Sequence, residues 1–229
     1  IQGDYEASAS SEPIISSVQK FAWKLFDNLR TGTPDAYTDN WNSDLTYDST
    51  NSFLAYTSGT FVQLASNTVY GEWAKIKLRD KRKLIAYKLS RQDHTNYDAS
   101  PRKFRLYGSN DNSTWVEIAG SAVTRGASDP INSYSSTPNS DSTTGSRFNL
   151  STVSPAYQYI ALVIEQTHNA SRVALQEFEL ICEPAEIENF KLYGSTDDVA
   201  WTEIHDQSTS ANIISSGTDF TITNSGNYR

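Results

Sequence analysis

SPRKFRLYGSNDNSTWVEI, residues 100–118, is the stretch that decides the fold. In its first half Phe104 and Leu106 alternate with charged residues and tyrosine, and this period of two predicts a β-strand with one buried face. The polar run at residues 109–113 predicts a chain reversal, because Ser, Asn and Asp tolerate left-handed backbone and bond their own main chain. We therefore expect a β-hairpin whose second strand begins near Trp115.

The same pattern returns in NFKLYGSTDDVAWTEI, residues 189–204. In both stretches a Phe and a Trp are separated by eleven positions and the tripeptide YGS is identical, which predicts an internal repeat. We expect residues 1–182 to form a complete module and residues 183–229 a partial second repeat, because the second copy lacks a counterpart of residues 22–87. Two explanations fit: the sequence ends part-way through a longer tandem protein, or the partial repeat is completed by packing on a neighbouring module or by self-association. We favour both together, because strands with open edges seek partners.

The composition restricts the classes of partner. The net charge of −8 argues against nucleic acid and anionic membranes, because both repel an acidic surface. No apolar run reaches the roughly 18 residues that a membrane span needs, so we expect no membrane insertion. The sequence contains no methionine and begins with Ile1, and we expect a segment of a longer protein or a secreted protein without its signal sequence. The single Cys182 excludes an internal disulfide.

Further alternating runs predict the remaining strands. They lie at residues 72–78, 84–89, 148–150, 157–166 and 173–181, with a long polar excursion at residues 120–147. In the first run Trp73, Ile76 and Leu78 are expected to face the core. About eight to ten short strands without a helical segment predict an all-β fold. Because strands must cover their edges and faces, we expect them to pair into a sandwich or jelly roll.

Several short motifs follow one another in a recognisable order. They are Lys24–Asn28 followed by Trp41, then Gly71–Trp73, Ser100–Phe104 running into Tyr107–Asp111, Trp115, and Leu175–Leu180. Over residues 8–182 the sequence resembles the discoidin, or F5/8 type C, modules, which have a galactose-binding-like jelly-roll β-sandwich and also occur as carbohydrate-binding modules. It is similar to versions in structural proteins of algal and giant viruses and in bacterial adhesins. The family pattern and the alternation together place Trp41, Trp73 and Trp115 in the core.

The resemblance implies a non-catalytic module for glycan binding or adhesion, within a tandem-repeat protein at an extracellular or virion surface. Two alternatives stay open: a purely structural repeat of a virion or extracellular filament, and an accessory carbohydrate-binding module of a polysaccharide-degrading enzyme. The chain has three histidines, and no Ser, Cys or Asp stands in a recognisable nucleophile context. We therefore predict that the chain is not an enzyme and that its partners are glycans or glycoproteins.

The resemblance also implies where a glycan binds. In such modules the loops at one end of the sandwich supply an aromatic ring that stacks on the sugar and Arg, His or Asn side chains that bond its hydroxyls. The candidates here are Arg91, His94, Asn96, Tyr97 and Arg102 in one loop and His168 in a loop expected to oppose it. The alternative is that these are ordinary exposed polar residues.

A structural cation, usually calcium, is a further implication of the resemblance. It implicates Asp27 and Glu177 as ligands, and Asp35 and Thr38 are further oxygen donors in the same loop. Calcium takes six to eight such hard oxygens. The loop from Asp27 to Trp41 is longer than in the usual family version, and a polar loop without an ion is the alternative.

Three asparagines have the local sequence of glycan attachment sites. Asn112, Asn149 and Asn169 each begin an Asn-X-Ser/Thr triplet, which predicts N-linked glycosylation in a secreted protein. Sequences rich in Ser and Thr also produce such triplets by chance, so an unmodified surface is the alternative.

Overall fold

The structure is a computed structural model that describes residues 5–27, 40–47, 71–91, 99–126, 129–131, 145–184, 191–197 and 199–206. The chain divides into two compact units, residues 1–183 and 184–229. No helix within these ranges is long and apolar enough to span a bilayer.

The described part of the first unit consists of strands and one short 3₁₀ helix, Ala22–Leu25. The strands are β1 (Glu6–Ala9), β2 (Ile14–Ile15), β3 (Val18–Gln19), β4 (Trp41–Asn42), β5 (Glu72–Arg82), β6 (Leu84–Arg91), β7 (Pro101–Ser109), β8 (Val116–Glu117), β9 (Val123–Thr124), β10 (Ser146–Asn149), β11 (Tyr157–Thr167) and β12 (Ala174–Cys182). In the second unit, β13 (Lys191–Gly194) pairs antiparallel with β14 (Thr202–Asp206).

Two antiparallel sheets form the sandwich in the described part of the first unit, and the short strands β2 and β3 pair separately. The larger has the strand order β1-β5-β11-β7-β8, with β9 also paired to β7, and the smaller has the order β10-β6-β12-β4. The hairpin predicted from residues 100–118 is confirmed, because β7 and β8 pair antiparallel with Tyr107 opposite Glu117. Central strand β11 pairs with β5 on one edge and with β7 on the other.

The main core lies between these two sheets. Ile160, Leu162 and Ile164 alternate inward along β11 and are fully buried. They belong to one apolar cluster with Tyr87 and Phe178 of the smaller sheet. Because a single cluster joins the two sheets face to face, the predicted all-β sandwich is confirmed.

The tryptophans divide between the two faces of the larger sheet. Trp41 is fully buried in the main core, as predicted. Trp115 is also buried, but it belongs to a second cluster on the outer face of the larger sheet. This second cluster contains Tyr107, Trp115, Ala161 and Val163, with Trp73 and Tyr159 packed against it. The prediction that Trp73 faces the main core with Ile76 and Leu78 is wrong, because odd and even positions of a strand point to opposite faces.

The polar N-terminal stretch contributes a strand that the alternation did not predict. Residues 6–9 form β1, which pairs antiparallel with β5. An ion pair of 3.0 Å between Lys77 and Glu6 joins the two strands. The short apolar run Pro13–Ile15 forms only the two-residue strand β2, which pairs with β3, and Ile14 is exposed. Backbone pairing, rather than apolar periodicity, therefore determines which of these segments joins the sheet.

One carboxylate holds the turn of the first hairpin. Asp111 Oδ1 accepts hydrogen bonds from the backbone N–H groups of Thr114 (2.7 Å) and Ser113 (2.8 Å) and from the hydroxyl of Ser109 (3.0 Å). Asn112 has a φ of 59°, the left-handed backbone expected in this run. Because these bonds favour the ionised form, the pKa of Asp111 lies well below its usual range.

Leu162→Ala tests the central strand, since it removes a fully buried side chain from the middle of β11. We expect the free energy of unfolding to fall by about 2–5 kcal/mol, because the change loses transfer energy and leaves a cavity. Urea unfolding followed by circular dichroism measures it. Val153→Ala, at an exposed position, is the control and is expected to change stability by less than about 0.5 kcal/mol. Equal effects of the two substitutions would contradict the assigned core.

Asp111→Ala tests the turn through its pH dependence. A carboxylate whose pKa is lowered by folding stabilises the fold above its unfolded pKa of about 4, and that contribution is lost as the pH falls through the folded value. We therefore expect the stability difference between wild type and variant to be constant from about pH 7 to 5 and to shrink below about pH 4. Urea unfolding at a series of pH values measures the difference, with Asp80→Ala as the control. A difference that is independent of pH down to about 2 is the contrary result.

Candidate functional site

One end of the sandwich gathers polar side chains from several strands. β6 ends at Arg91 and β11 at Thr167, whereas β7 begins at Pro101 and β12 at Ala174. The register places Arg91 opposite Leu175 and Thr167 opposite Pro101, so strand ends meet within each sheet. We call this region the Arg91 end. It comprises residues 40–47, Arg91, residues 99–102, residues 123–126 and 129–131, and residues 167–174.

Tyr47 joins the two sheets at the Arg91 end. Its backbone N–H donates to the carbonyl of Ser171 at 2.9 Å, just before β12 in the smaller sheet. Its hydroxyl donates to the carbonyl of Ile164 at 2.7 Å and accepts from the backbone N–H of Glu72 at 3.2 Å, both in the larger sheet. The strand ends of the two sheets therefore lie at the same end of the sandwich.

The structure brings three of the predicted glycan-binding residues to the Arg91 end. Arg91 and Arg102 are partly buried, and His168 is almost fully buried. Arg102 donates from Nε to the carbonyl of Arg125 at 3.3 Å. The backbone N–H of His168 donates to the carbonyl of Ser100 at 3.1 Å, which links the end of β11 to the start of β7. The other three predicted residues, His94, Asn96 and Tyr97, lie outside the described residues.

Residues 123–126 and 129–131 form a wall beside Arg102. The backbone N–H of Arg125 donates to the carbonyl of Arg102 at 2.9 Å. The Arg125 guanidinium bonds the carboxylate of Asp129 at 2.6 Å and lies 5.7 Å from the centre of the Phe148 ring. Ile131 donates from its backbone N–H to the hydroxyl of Ser100 at 3.1 Å. These bonds fix the backbone around the start of β7 and hence the direction in which Arg102 leaves it.

A buried lysine lies near the same end, at a position where the amino-acid pattern does not indicate burial. Lys20 is 1% exposed, and its ammonium donates to Asn40 Oδ1 at 2.7 Å. Asn40 in turn donates to Asn42, which pairs with Ala174. Burial lowers the pKa of Lys20 to about 8, and nearby positive charges, including that of Arg172, add to the effect. A lysine in a polar stretch gives no sequence sign of burial, because the pairing that covers it is long-range.

The two described members of the predicted calcium set lie on elements that pack together. Asp27 follows the 3₁₀ helix and Glu177 lies on β12, and the rings of their neighbours Phe26 and Phe178 are 5.5 Å apart. Each carboxylate has an oxygen that is shielded from solvent. Asp35 and Thr38 lie outside the described residues. Within the described ranges, three or more His, Cys, Asp or Glu side chains do not gather as a metal-binding group.

The three predicted glycosylation sites are exposed. Asn112 lies in the hairpin turn, where its Oδ1 accepts a hydrogen bond from Lys75 Nζ at 2.9 Å. Asn149 ends β10, and its Oδ1 accepts from Arg147 Nε at 2.9 Å. Asn169 is exposed beyond the end of β11. Accessible side chains are a condition for modification, and glycosylation itself stays a prediction.

Comparisons with known proteins identify similar folds. No family model and no curated protein matches the sequence. Solved structures of carbohydrate-binding modules, the class that the sequence motifs resemble, are similar to this chain. CpGH89CBM32-5 from Clostridium perfringens, in complex with GalNAc-β-1,3-galactose, has a TM-score of 0.48 and 12% identity, covering 79% of this chain and 96% of its own. The family 32 module of C. perfringens NanJ, in complex with galactose, has a TM-score of 0.47 and 12% identity, covering 78% and 94%. Chitosan-binding module 1 of a Paenibacillus sp. IK-5 chitosanase/glucanase has a TM-score of 0.46 and 16% identity, covering 77% and 94%.

Proposed function

We propose that this chain is a non-catalytic module that binds glycans through the Arg91 end. One observation carries the proposal: the strand register brings Arg91, Arg102 and His168 to one end of the sandwich, although they are distant in sequence. A glycan presents many hydroxyl oxygens at fixed spacings. Binding it therefore requires several hydrogen-bonding groups held by rigid elements, and strand ends of a packed sandwich provide such elements.

Arg102 has the chemistry that hydroxyl recognition needs. A guanidinium carries five N–H donors in a fixed fork, and the described residues take one of them for the carbonyl of Arg125. The wall beside Arg102 keeps its backbone in place, so less side-chain entropy is lost when the remaining donors bond a sugar. Tyr97, close to Arg102 in sequence, supplies the ring that stacks on the apolar face of the sugar.

We also propose that the module works at an extracellular or virion surface, as an adhesive element that recognises glycans or glycoproteins. Its net charge of −8 keeps such a surface protein soluble. The exposed asparagine triplets at Asn112, Asn149 and Asn169 favour a protein that meets a glycosylation machinery.

A glycan array with purified full chain tests the binding function. We expect a defined group of glycans to bind, and Arg102→Ala and Arg91→Ala to weaken the strongest of them at least tenfold. The expectation follows because a hydrogen bond to a charged group contributes about 1.5–3 kcal/mol, and about 1.4 kcal/mol is a factor of ten. Isothermal titration with the best glycan gives the affinities.

Arg82→Ala is the matched control, because Arg82 ends β5 at the opposite end of the sandwich. It is expected to keep the affinity of the wild type. Circular dichroism of each variant shows whether the sandwich is intact. The absence of any bound glycan in a broad array, or equal losses in the control and the Arg91-end variants, would overturn the proposed function.

We propose that Asp27 and Glu177 bind a structural calcium ion. Carboxylate oxygens are the hard donors that calcium prefers, and both residues hold such an oxygen away from solvent. A bound ion would stabilise the contact between β12, which carries Glu177, and the segment after the 3₁₀ helix, which carries Asp27. It would act on the fold rather than on the glycan directly.

Calcium-dependent thermal unfolding tests this assignment. At a hundredfold excess over Kd, calcium is expected to stabilise the wild type by about 2.7 kcal/mol and to raise its Tm. Glu177→Gln is expected to lose most of this increase, because it removes an anionic ligand. Glu179→Gln is the control on the same strand, since Glu179 forms an ion pair of 3.5 Å with Lys88. A wild-type Tm that is the same in calcium and in chelator would exclude the site.

A further inference from the structure

The hairpin of the second unit has the sequence and the local structure of the first hairpin. Tyr193 aligns with Tyr107 and Trp201 with Trp115. In both hairpins the two strands pair antiparallel around a polar turn. The two copies therefore allow a comparison in which local sequence is nearly constant and only the surroundings differ.

The polar interactions of the two hairpins agree closely. Asp197 Oδ1 accepts from the backbone N–H groups of Ala200 (2.9 Å) and Val199 (3.0 Å), as Asp111 does in the first turn. These bonds also lower the pKa of Asp197. Lys191 bonds Glu203 across the strands at 2.8 Å, and the equivalent pair of the first hairpin, Arg105 and Glu117, is 2.9 Å apart. The second hairpin is thus built in the same way as the first.

The apolar side chains of the two hairpins differ sharply in exposure. In the first hairpin Leu106 is 0%, Tyr107 2% and Trp115 5% exposed, whereas in the second Leu192 is 41%, Tyr193 46% and Trp201 55% exposed. Large apolar side chains that are exposed together on one short hairpin indicate an interaction surface, whereas single scattered ones do not. These exposed side chains lie on both faces of the second hairpin, because adjacent positions of a strand, such as 192 and 193, point to opposite sides, whereas Ile204 of β14 is buried.

The first hairpin shows what covers these side chains. β11 pairs antiparallel with β7, with Ala161 opposite Tyr107 and Leu162 opposite Leu106. Ala161 and Val163 pack in the cluster that buries Tyr107 and Trp115. A strand with small or β-branched residues on one face and leucine or isoleucine on the other is therefore the complement of this hairpin.

Charge adds a second element of complementarity. Glu165 of β11 accepts a hydrogen bond of 2.6 Å from Arg105. Lys191 occupies the position of Arg105 in the second hairpin. A complementary strand with a glutamate at the position of Glu165 would bring this carboxylate to Lys191, so charge as well as apolar pattern selects the strand.

We propose that the second hairpin is a docking site for a β-strand of the β11 type, supplied by a neighbouring polypeptide. In the described part of the second unit, β13 pairs only with β14, whereas β7 carries β11 on its other edge. The partner strand pairs antiparallel with β13 and covers Tyr193 and Trp201, a mode of recognition in which backbone bonds supply affinity and alternate side chains supply specificity. β11 of a second copy does not meet this need, because it is already paired on both edges.

A peptide with the β11 sequence, YQYIALVIEQT from Tyr157 to Thr167, flanked by solubilising residues and a fluorophore, tests the docking site on the full chain. Fluorescence anisotropy is expected to show saturable binding. Trp201→Ala is expected to weaken it at least roughly tenfold, since a central tryptophan is the commonest residue to dominate an interface. Val153→Ala, an exposed apolar residue of the first unit, is the matched control and is expected to leave binding unchanged.

A charge-reversed peptide tests the contribution of the ion pair with Lys191. The same peptide with Glu165→Lys is expected to bind more weakly, because a lysine would then face Lys191. Binding that is equal for the wild type and Trp201→Ala, or absent altogether, overturns the proposal. Sedimentation of the chain without peptide tests for self-association. If the wild type forms dimers, Trp201→Ala abolishes them and no peptide binds, a second copy is the occupant instead.

Discussion

The structure depends on one strand that is covered on both faces and paired on both edges. Ile160, Leu162 and Ile164 of β11 enter the main core, while Ala161 and Val163 enter the second cluster on the outer face of the larger sheet. The centre of such a strand must be a continuous apolar run, because residues 160–164 are all fully buried. The run YIALVI is the longest of this kind in the chain. Removing its pairing would open both clusters at once.

This constraint also positions the Arg91 end. Since β11 has a fixed register against both neighbours, its terminus at Thr167 fixes the start of β7 and, through Tyr47, the ends of the smaller sheet. The backbone of residues just past a buried strand is held in place by that strand, but their side chains are outside the core and need not be apolar. Side chains such as Arg102 can therefore vary in chemistry without a large cost in stability, which is the usual relation between a β-sandwich and the site at its end.

Elements specified by local pattern were predictable from the sequence, and elements specified by distant contacts were not. The alternation of Phe104 and Leu106 and the polar turn after them predicted the first hairpin, because both act over a few residues. β1 was missed because its place depends on the backbone of β5, and the burial of Lys20 was missed because Asn40 lies far along the chain. At the candidate site, residue types were predictable from the loops, but their common location needed the register.

The two hairpins separate these contributions within one molecule. Equivalent turns, cross-strand ion pairs and strand pairings form in both, so local sequence is sufficient for them. Burial is not local: Trp115 is buried and Trp201 is exposed although their neighbours in sequence are similar. Because apolar burial contributes about 25 cal/mol per Å², this difference is an unused stabilisation of the second hairpin, which the proposed partner strand would supply. In such a hairpin the backbone pairing is therefore formed, whereas the large apolar side chains are not buried.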